Sequence, residues 1–222
     1  NSFSLTDCYI NDGWYTLMDE GEGVNQTNID KEDIGVGRFP VSTPDEAQTI
    51  VDKTINYAID KNAGDWQNVI MFMGDDGNNN LHMHDVNETA EAVMNTYPNY
   101  VVKKVMWDAY KRTGSSTGFT YPEVSAIIKQ QQAQGALIMD YAGHGSEIQI
   151  SHEAVLRITD FQNFTNKNLP LWITASCDIM PFDGTIATIG EEAMLNKKGG
   201  SVAFWGTTRT VYASYNKHIN TA

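Results

Sequence analysis

The sequence predicts an α/β protein with a three-layer α/β/α architecture and a mostly parallel central sheet. From residue 65 onward, short apolar segments alternate with segments that have the period of amphipathic helices. The apolar segments are hydrophobic on both faces, which is typical of strands in a parallel sheet covered on both sides. Right-handed crossovers then bring the carboxyl ends of the strands to one edge of the sheet, where a ligand is expected to bind.

Five strands and three helices are predicted in this part of the chain. Each predicted strand is a short apolar run that ends at glycine, serine or acidic residues. The predicted strands are 69–73, 101–107, 136–141, 169–175 and 201–206, and the predicted helices are 85–97, 122–134 and 189–195.

Residues 1–62 are predicted to form the C-terminal part of a smaller α/β subdomain. Alternating aromatic and polar positions predict one or two strands and a loop in residues 1–30, and Ile34–Val41 reads as a further short strand. The segment Thr43–Glu46 combines an N-capping threonine, a proline at the first helical position and acidic residues in the first turn. It therefore predicts a helix that ends before Asn62.

Residues 63–222 are predicted to form the larger subdomain, truncated at its C-terminus. The chain begins at Asn1 without an initiator methionine, and residues 213–222 read as the opening of a helix that stops. We therefore expect the sequence to be an excised piece of a longer protein.

Composition excludes several classes of function. The chain carries 15 Lys and Arg against 28 Asp and Glu, which gives a net charge of −13. This acidic balance argues against nucleic-acid binding, which depends on clustered basic residues. No apolar stretch approaches the roughly 20 residues of a membrane-spanning helix. Two cysteines exclude a disulfide-stapled scaffold and a multi-cysteine zinc site, but they leave a single reactive thiol open.

The polar residues best suited to catalysis directly follow the predicted strands. His144 follows the third strand and Cys177 follows the fourth, so the two are expected to face each other at the carboxyl edge. A cysteine and a histidine so placed can supply a thiolate nucleophile and a general acid and base. The alternative is that Cys177 is an inert buried thiol, as cysteines often are.

The glycines on both sides of His144 allow a sharp turn and a close approach to a substrate. The backbone N–H groups of Gly145 and Cys177 are candidates for an oxyanion hole. Trp205, Thr207 and Thr208 lie in or after the fifth strand, and they are predicted to bind substrate.

The segments Tyr141–Glu147 and Thr174–Asp178 resemble the gingipain family of cysteine peptidases, family C25 of the caspase-like clan. Four further segments are similar to the surface sortases of the bacterial type IX secretion system, and these are 33–40, 64–68, 74–83 and 207–212. The resemblance covers nearly the whole chain, and it implies a caspase-like fold.

The resemblance also implies roles for individual residues. Cys177 would be the nucleophile, His144 the general acid and base, and Gly145 an oxyanion donor. A carboxylate would orient the imidazole, with Asp85 as first choice and Asp75 as second. The alternative for Asp85 is an acid near a helix N-terminus that complements the helix dipole.

No cofactor is required by the implied chemistry, but the resemblance allows a structural calcium ion. The acidic segments 19–23 and 75–78 offer oxygen ligands for calcium, although neither follows an EF-hand pattern. The segment His82–His84, beside Asp75, Asp76 and Asp85, has ligand types that suit zinc. For each of these segments, a solvated polar loop is the alternative.

The implied function is a cysteine endopeptidase or sortase that cleaves a peptide bond through a thioester acyl-enzyme. It would remove C-terminal secretion signals from cargo proteins and could transfer the cargo to a surface glycolipid. Protein or peptide substrates and other secretion-system envelope proteins are the implied partners, and the implied location is the cell envelope, at the outer-membrane surface or secreted. The alternatives are a secreted gingipain-like endopeptidase and an inactive envelope scaffold. A dinucleotide-binding module is disfavoured, because no G-x-G-x-x-G follows the first strand.

Overall fold

The computed structural model describes residue 10 and residues 12–23, 30–115 and 118–221. Within these residues the strands β1 to β10 are, in chain order, Val69–Gly74, Val101–Met106, Thr113–Ser115, Gly118–Thr120, Ile138–Ala142, Gly145–Ser146, Gln149–Ile150, Leu156–Arg157, Leu171–Ala175 and Ala203–Trp205. The helices α1 to α6 are Pro44–Ala58, Gly77–Thr96, Pro122–Gln134, Ile158–Asn163, Ile189–Leu195 and Ala213–Thr221. Short 3-10 helices lie at Asp12–Thr16, Asp65–Asn68 and Trp107–Ala109.

The predicted α/β fold with a mostly parallel sheet is confirmed. The main sheet has five strands in the order β2-β1-β5-β9-β10, and all of its pairs are parallel. Two small antiparallel sheets, β3-β4 and β6-β7-β8, lie outside it, and the sequence reading did not predict them. All five predicted strands of the main sheet are present, with ends that differ by a few residues at most.

Helices cover both faces of the sheet, and alternate side chains of β1 show how. Met71 and Met73 belong to the larger core, which also contains side chains from α3, α4 and α5. Ile70 and Phe72 point to the opposite face and pack under α2; α6 packs there against α2 and β9. Because each fully buried side chain of this size contributes about 1.5–3 kcal/mol, a strand that is apolar on both faces stabilises both layers.

Helix α1 joins this arrangement by packing on α5. It begins with a capping box between Thr43 and Glu46, which confirms the predicted helix start. Ile50 packs in a small cluster with Met180 and Met194. The Lys53 ammonium donates to the carbonyl oxygen of Met194 at 2.7 Å near the end of α5, while burial lowers the pKa of Lys53 to about 8.

The strand predicted over residues 34–41 is wrong. The segment pairs with no described strand, and Ile34, Val36 and Phe39 are exposed. Alternating apolar residues form a strand only where a neighbour completes its hydrogen bonds and covers one face, and neither condition holds here. Of the strands predicted in residues 1–30, residues 12–23 contain a 3-10 helix instead, and residues 1–9, 11 and 24–29 lie outside the described part.

Helix α2 begins eight residues before the predicted start at Asp85. Its first turn is irregular, because Asn78, Asn79 and Asn80 have positive φ angles of 52°, 55° and 67°. Asparagine tolerates this left-handed conformation better than most residues, so the polar run bends the chain from β1 into the helix.

The division into subdomains at residues 62 and 63 stays a prediction. Among the described residues, no helix combines the length and the apolar character that crossing a membrane requires.

One buried carboxyl group makes the stability of the fold sensitive to pH. Asp140 on β5 is 3% exposed, and its Oδ1 atom has no hydrogen-bond partner. Burial raises the pKa of this carboxyl group from 3.8 to about 8. Between these two values the folded state binds more protons than the unfolded state, so the free energy of unfolding falls as the pH rises.

We expect Asp140→Asn to remove this pH dependence of the free energy of unfolding, because the amide does not ionise. Relative to the wild type, the Tm of the variant should rise by several degrees between about pH 5 and about pH 8. Thermal melts across this range measure the difference, with the exposed Asp108→Asn as control. If the difference in Tm between the variant and the wild type stayed constant with pH, the role of Asp140 in the pH dependence would be contradicted.

Candidate active site

Three adjacent strands of the sheet end at the same level. Gly74 of β1 pairs with Ala142 of β5, and Ala142 pairs with Ala175 of β9. Asp75 is the next residue after β1, whereas His144 and Cys177 each follow the aligned pair by two residues. The prediction that the strands before His144 and Cys177 are neighbours is therefore confirmed.

The Asp75 carboxylate holds the main chain of His144. Its Oδ2 accepts the backbone N–H of His144 at 2.6 Å and lies 3.1 Å from the hydroxyl of Tyr141, while Oδ1 accepts the N–H of Gly77 at 3.1 Å. The Tyr141 hydroxyl also donates to the carbonyl oxygen of His144 at 2.7 Å. Burial and the nearby Asp75 charge raise the pKa of Tyr141 well above its usual value, so the hydroxyl remains a donor.

The glycines beside His144 are required by close packing. A Cβ atom on Gly143 would lie 2.1 Å from the Tyr141 hydroxyl oxygen, and one on Gly145 would lie 2.4 Å from Oγ of Ser176. Neither glycine has a positive φ angle. From the sequence, these glycines were predicted to allow a sharp turn and a close approach of substrate. In the structure, neighbouring side chains of the protein itself leave no room for a Cβ atom at either position.

Aromatic rings surround the His144 imidazole. His152 stacks on it with ring centroids 4.2 Å apart and planes inclined by 11°. His82 meets it edge-on at 5.2 Å. A Cβ atom on Gly77 would lie 2.5 Å from Cδ2 of His144, so the backbone of α2 also touches the ring. Neither ring nitrogen has a hydrogen-bond partner in the described part of the chain.

Cys177 is half-buried at the end of β9, and its thiol donates to the carbonyl oxygen of Val211 at 3.4 Å. The segment after β10 runs beside the segment that carries Cys177. The Met180 N–H donates to Thr207, and the Thr207 hydroxyl donates to the carbonyl oxygen of Ser176. These contacts fix the backbone on both sides of the thiol.

An ion pair between buried Arg209 and exposed Asp183 anchors the same two segments. The Arg209 guanidinium donates to both carboxylate oxygens of Asp183, at 3.0 and 2.7 Å, and the pairing lowers the pKa of Asp183. Such bidentate pairs have a defined geometry, so this one ties the loop after Cys177 to the chain after β10.

A cleft of about 640 Å³ opens beside these segments. Trp205, which is 55% exposed, and Thr208 line it, together with Phe182 and Arg38. The Arg38 guanidinium lies 4.5 Å above the centre of the Phe182 ring. Two of the three residues predicted to bind substrate therefore border a cleft, while the hydroxyl of the third, Thr207, is bonded to Ser176.

The structure does not join Asp85 to His144 by a hydrogen bond. The Asp85 carboxylate lies 3.7 Å from Nδ1 of His84 and 3.8 Å from Nζ of Lys217. Its electrostatic effect reaches His82, whose pKa is lowered mainly by burial. The carboxylate that contacts His144 is Asp75, the second choice from the sequence, and it contacts the main chain.

One described group has ligand atoms spaced for a metal ion, and it consists of His84, Asp85 and Glu88. The Lys217 ammonium already pairs with Glu88 and lies near Asp85, so a cation is present among these acids. Asp76, considered for calcium and zinc, accepts the hydroxyl of Tyr121 at 2.7 Å. The structural calcium ion stays an expectation from the resemblance.

Two features of the site were missed from the sequence. His152 lies beyond two short strands that the hydrophobic pattern did not predict, and the Arg209–Asp183 pair joins residues from separate loops. The sequence did offer one signal for His152: the chain contains 5 histidines, so each of them is a candidate for the site.

The chain matches known proteins over most of its length. The family model described as "Peptidase family C25" matches residues 4–222. A solved structure titled "Structure of Protease" has a TM-score of 0.63 and 20% identity, over 82% of this chain and 38% of that one. The Arg-specific cysteine proteinase gingipain R has a TM-score of 0.61 and 20% identity, over 83% of this chain and 43% of that one.

A complex of the Porphyromonas gingivalis RgpB pro- and mature domains has a TM-score of 0.62 and 19% identity, over 84% of this chain and 43% of that one. The chain thus spans less than half the length of each structure it matches. No curated protein sequence matches it at a significant level.

We expect Asp75→Ala to destabilise the fold by about 1–3 kcal/mol, because it leaves the buried N–H of His144 without its acceptor. Asp75→Asn retains one oxygen and should lose less. Denaturant unfolding gives both free energies, and the exposed Asp108→Asn is the control. Equal stability of Asp75→Ala and the wild type would contradict the described contact.

Proposed function

The chain belongs to peptidase family C25, and from this membership we propose that it acts as a cysteine peptidase with Cys177 as nucleophile and His144 as general acid and base. The observation that carries the proposal is the register of β5 and β9. It brings the ends of the two strands that precede His144 and Cys177 to the same level at the carboxyl edge of the sheet. Catalytic groups of open α/β sheets lie at this edge.

In the proposed reaction, the Cys177 thiol gives its proton to His144, and the sulfur attacks the carbonyl carbon of a peptide bond. The oxygen gains negative charge, which backbone N–H groups of Gly145 and Cys177 stabilise. His144 then returns the proton to the leaving amine, and a thioester remains on Cys177. Water releases the acid and restores the thiol.

The imidazole needs a defined orientation for both proton transfers. In this proposal Asp75 contributes by holding the His144 backbone, as its 2.6 Å contact supports. The orienting role predicted for Asp85 would have to act at a distance, because its contacts are His84 and Lys217.

Cys177→Ala should abolish cleavage of a peptide substrate, with a loss of at least about 10⁴-fold in kcat, because it removes the thiol that forms the thioester in this proposal. Cys8→Ala is the matched control, since it removes the other thiol of the chain and should retain activity. Iodoacetamide labelling followed by peptide mapping gives a second readout, with Cys177 labelled faster than Cys8.

Two results would contradict the proposal. One is full cleavage by Cys177→Ala. The other is a well-folded wild-type chain that neither cleaves peptides nor alkylates preferentially at Cys177, which would favour the alternative of an inactive envelope scaffold.

We propose further that the thioester is passed to an amine, as in the surface sortases of type IX secretion. Three of the segments similar to those sortases border the site. Residues 74–83 lead from β1 into α2 beside His144, residues 207–212 contact the Cys177 segment, and residues 33–40 contribute to the cleft wall beside Trp205. The substrates would be cargo proteins with C-terminal secretion signals, and the location would be the cell envelope.

We expect the wild-type chain, given a cleavable peptide and an amine acceptor at millimolar concentration, to form the amide of the two. The fraction of amide should rise with acceptor concentration, because water and the amine compete for the same acyl-enzyme. Mass spectrometry of the products measures this partition. Hydrolysis alone at every acceptor concentration would overturn the sortase proposal and favour a gingipain-like endopeptidase.

A further inference from the structure

Three of the 5 histidines of the chain form one contiguous group. His144 lies at its centre, with His152 stacked on its face and His82 against its edge. In the described residues, no carboxylate reaches either ring nitrogen of His144. The ring is therefore held by contact with other rings and with the backbone at Gly77.

His152 is carried by a turn that is tied to His144 itself. The N–H of Ser151 donates to the carbonyl oxygen of His144 at 2.8 Å. Ser151 and Ala154 have positive φ angles of 62° and 49°, which are uncommon for residues other than glycine. On the other side of His152, the N–H of Ala154 donates to the carbonyl oxygen of Ser151 at 3.1 Å. Main-chain hydrogen bonds therefore close the turn and tie it to His144, which keeps the stacked ring in place.

The three rings differ in their access to water. His82 is 2% exposed, and its Nε2 lies 3.1 Å from the side-chain amide of Asn78. Since the amide nitrogen donates, Nε2 accepts, and the neutral ring carries its proton on Nδ1. His152 is exposed.

We propose that His152 is a positioning residue that holds the His144 imidazole by stacking on its face. This proposal rests on the proposed function, since it assigns a role around the general acid and base. Stacking of the two neutral rings, or of one neutral and one charged ring, is favourable. The stack therefore limits the rotation of the His144 ring.

The first test compares NMR spectra of the wild-type chain and of two variants. In His152→Ala the Cε1–H signal of His144 should move downfield, because the stacked ring that shields it is lost. His152→Phe keeps a stacked ring and should leave the signal near its wild-type position. His84→Phe, at an exposed histidine, is the matched control and should leave the His144 signal unchanged.

The second test uses kinetics. His152→Ala should lower kcat about tenfold to a hundredfold with little change in KM, because the stacked ring orients His144 and need not contact the substrate. His152→Phe should recover most of kcat, because a flat ring again stacks on His144. A merely structural role would not give a loss of kcat at unchanged KM in a folded variant, together with its recovery by a second flat ring.

The outcomes separate this proposal from the proposed function. An unchanged His144 signal or an unchanged kcat in a folded His152→Ala would overturn the positioning role while Cys177 still alkylates and peptides are still cleaved. If His152→Ala does not fold, His152→Leu, which keeps the volume of the side chain without a flat ring, takes its place and should show the same losses. A Cys177 thiol that is neither reactive nor required would instead overturn the proposed function.

Discussion

The parallel register of β1, β5 and β9 is the constraint on which the candidate site depends. Gly74, Ala142 and Ala175 align across the three strands, so Asp75, His144 and Cys177 leave the sheet from one level. A shift of one residue in any pairing would turn a strand over, because side chains alternate between faces. The apolar side chains on both faces of β1 and β5 oppose such a shift. The two cores therefore maintain the relative positions of these groups, and the core residue Tyr141 also contacts Asp75 and His144 directly.

The surroundings of His144 are made by packing more than by charge. The buried carboxylate of Asp75 acts on the backbone, and the ring is bounded by His82, His152 and a glycine Cα. Glycines are needed where the chain passes close to other side chains, and the crowding leaves few positions for the imidazole. On the thiol side, the Arg209–Asp183 pair holds two loops together. Order in this region thus comes from main-chain hydrogen bonds, ring contacts and one ion pair.

The sequence predicted the main sheet well because burial on both faces leaves a continuous apolar run, which is a strong local signal. It placed His144 and Cys177 on neighbouring strands for the same reason. It failed at residues 34–41, where the apolar alternation has no partner strand. It also missed β6 to β8, whose strands of two residues are too short to show a period. The stacking of His152 on His144 depends on that missed region, so no pattern along the chain could reveal it.

The strand order has a consequence for how the chain assembles. After β1 and β2 pair, each later strand of the sheet is added to one growing edge, β5 on β1, then β9 on β5, then β10 on β9. No strand has to be inserted between two that are already paired. The topology therefore permits folding in the direction of synthesis or export. In such a sequence of events Asp75 is in place before His144 is added. Cys177 follows as the last of the three, and the chain after β10 then completes the contacts of its segment.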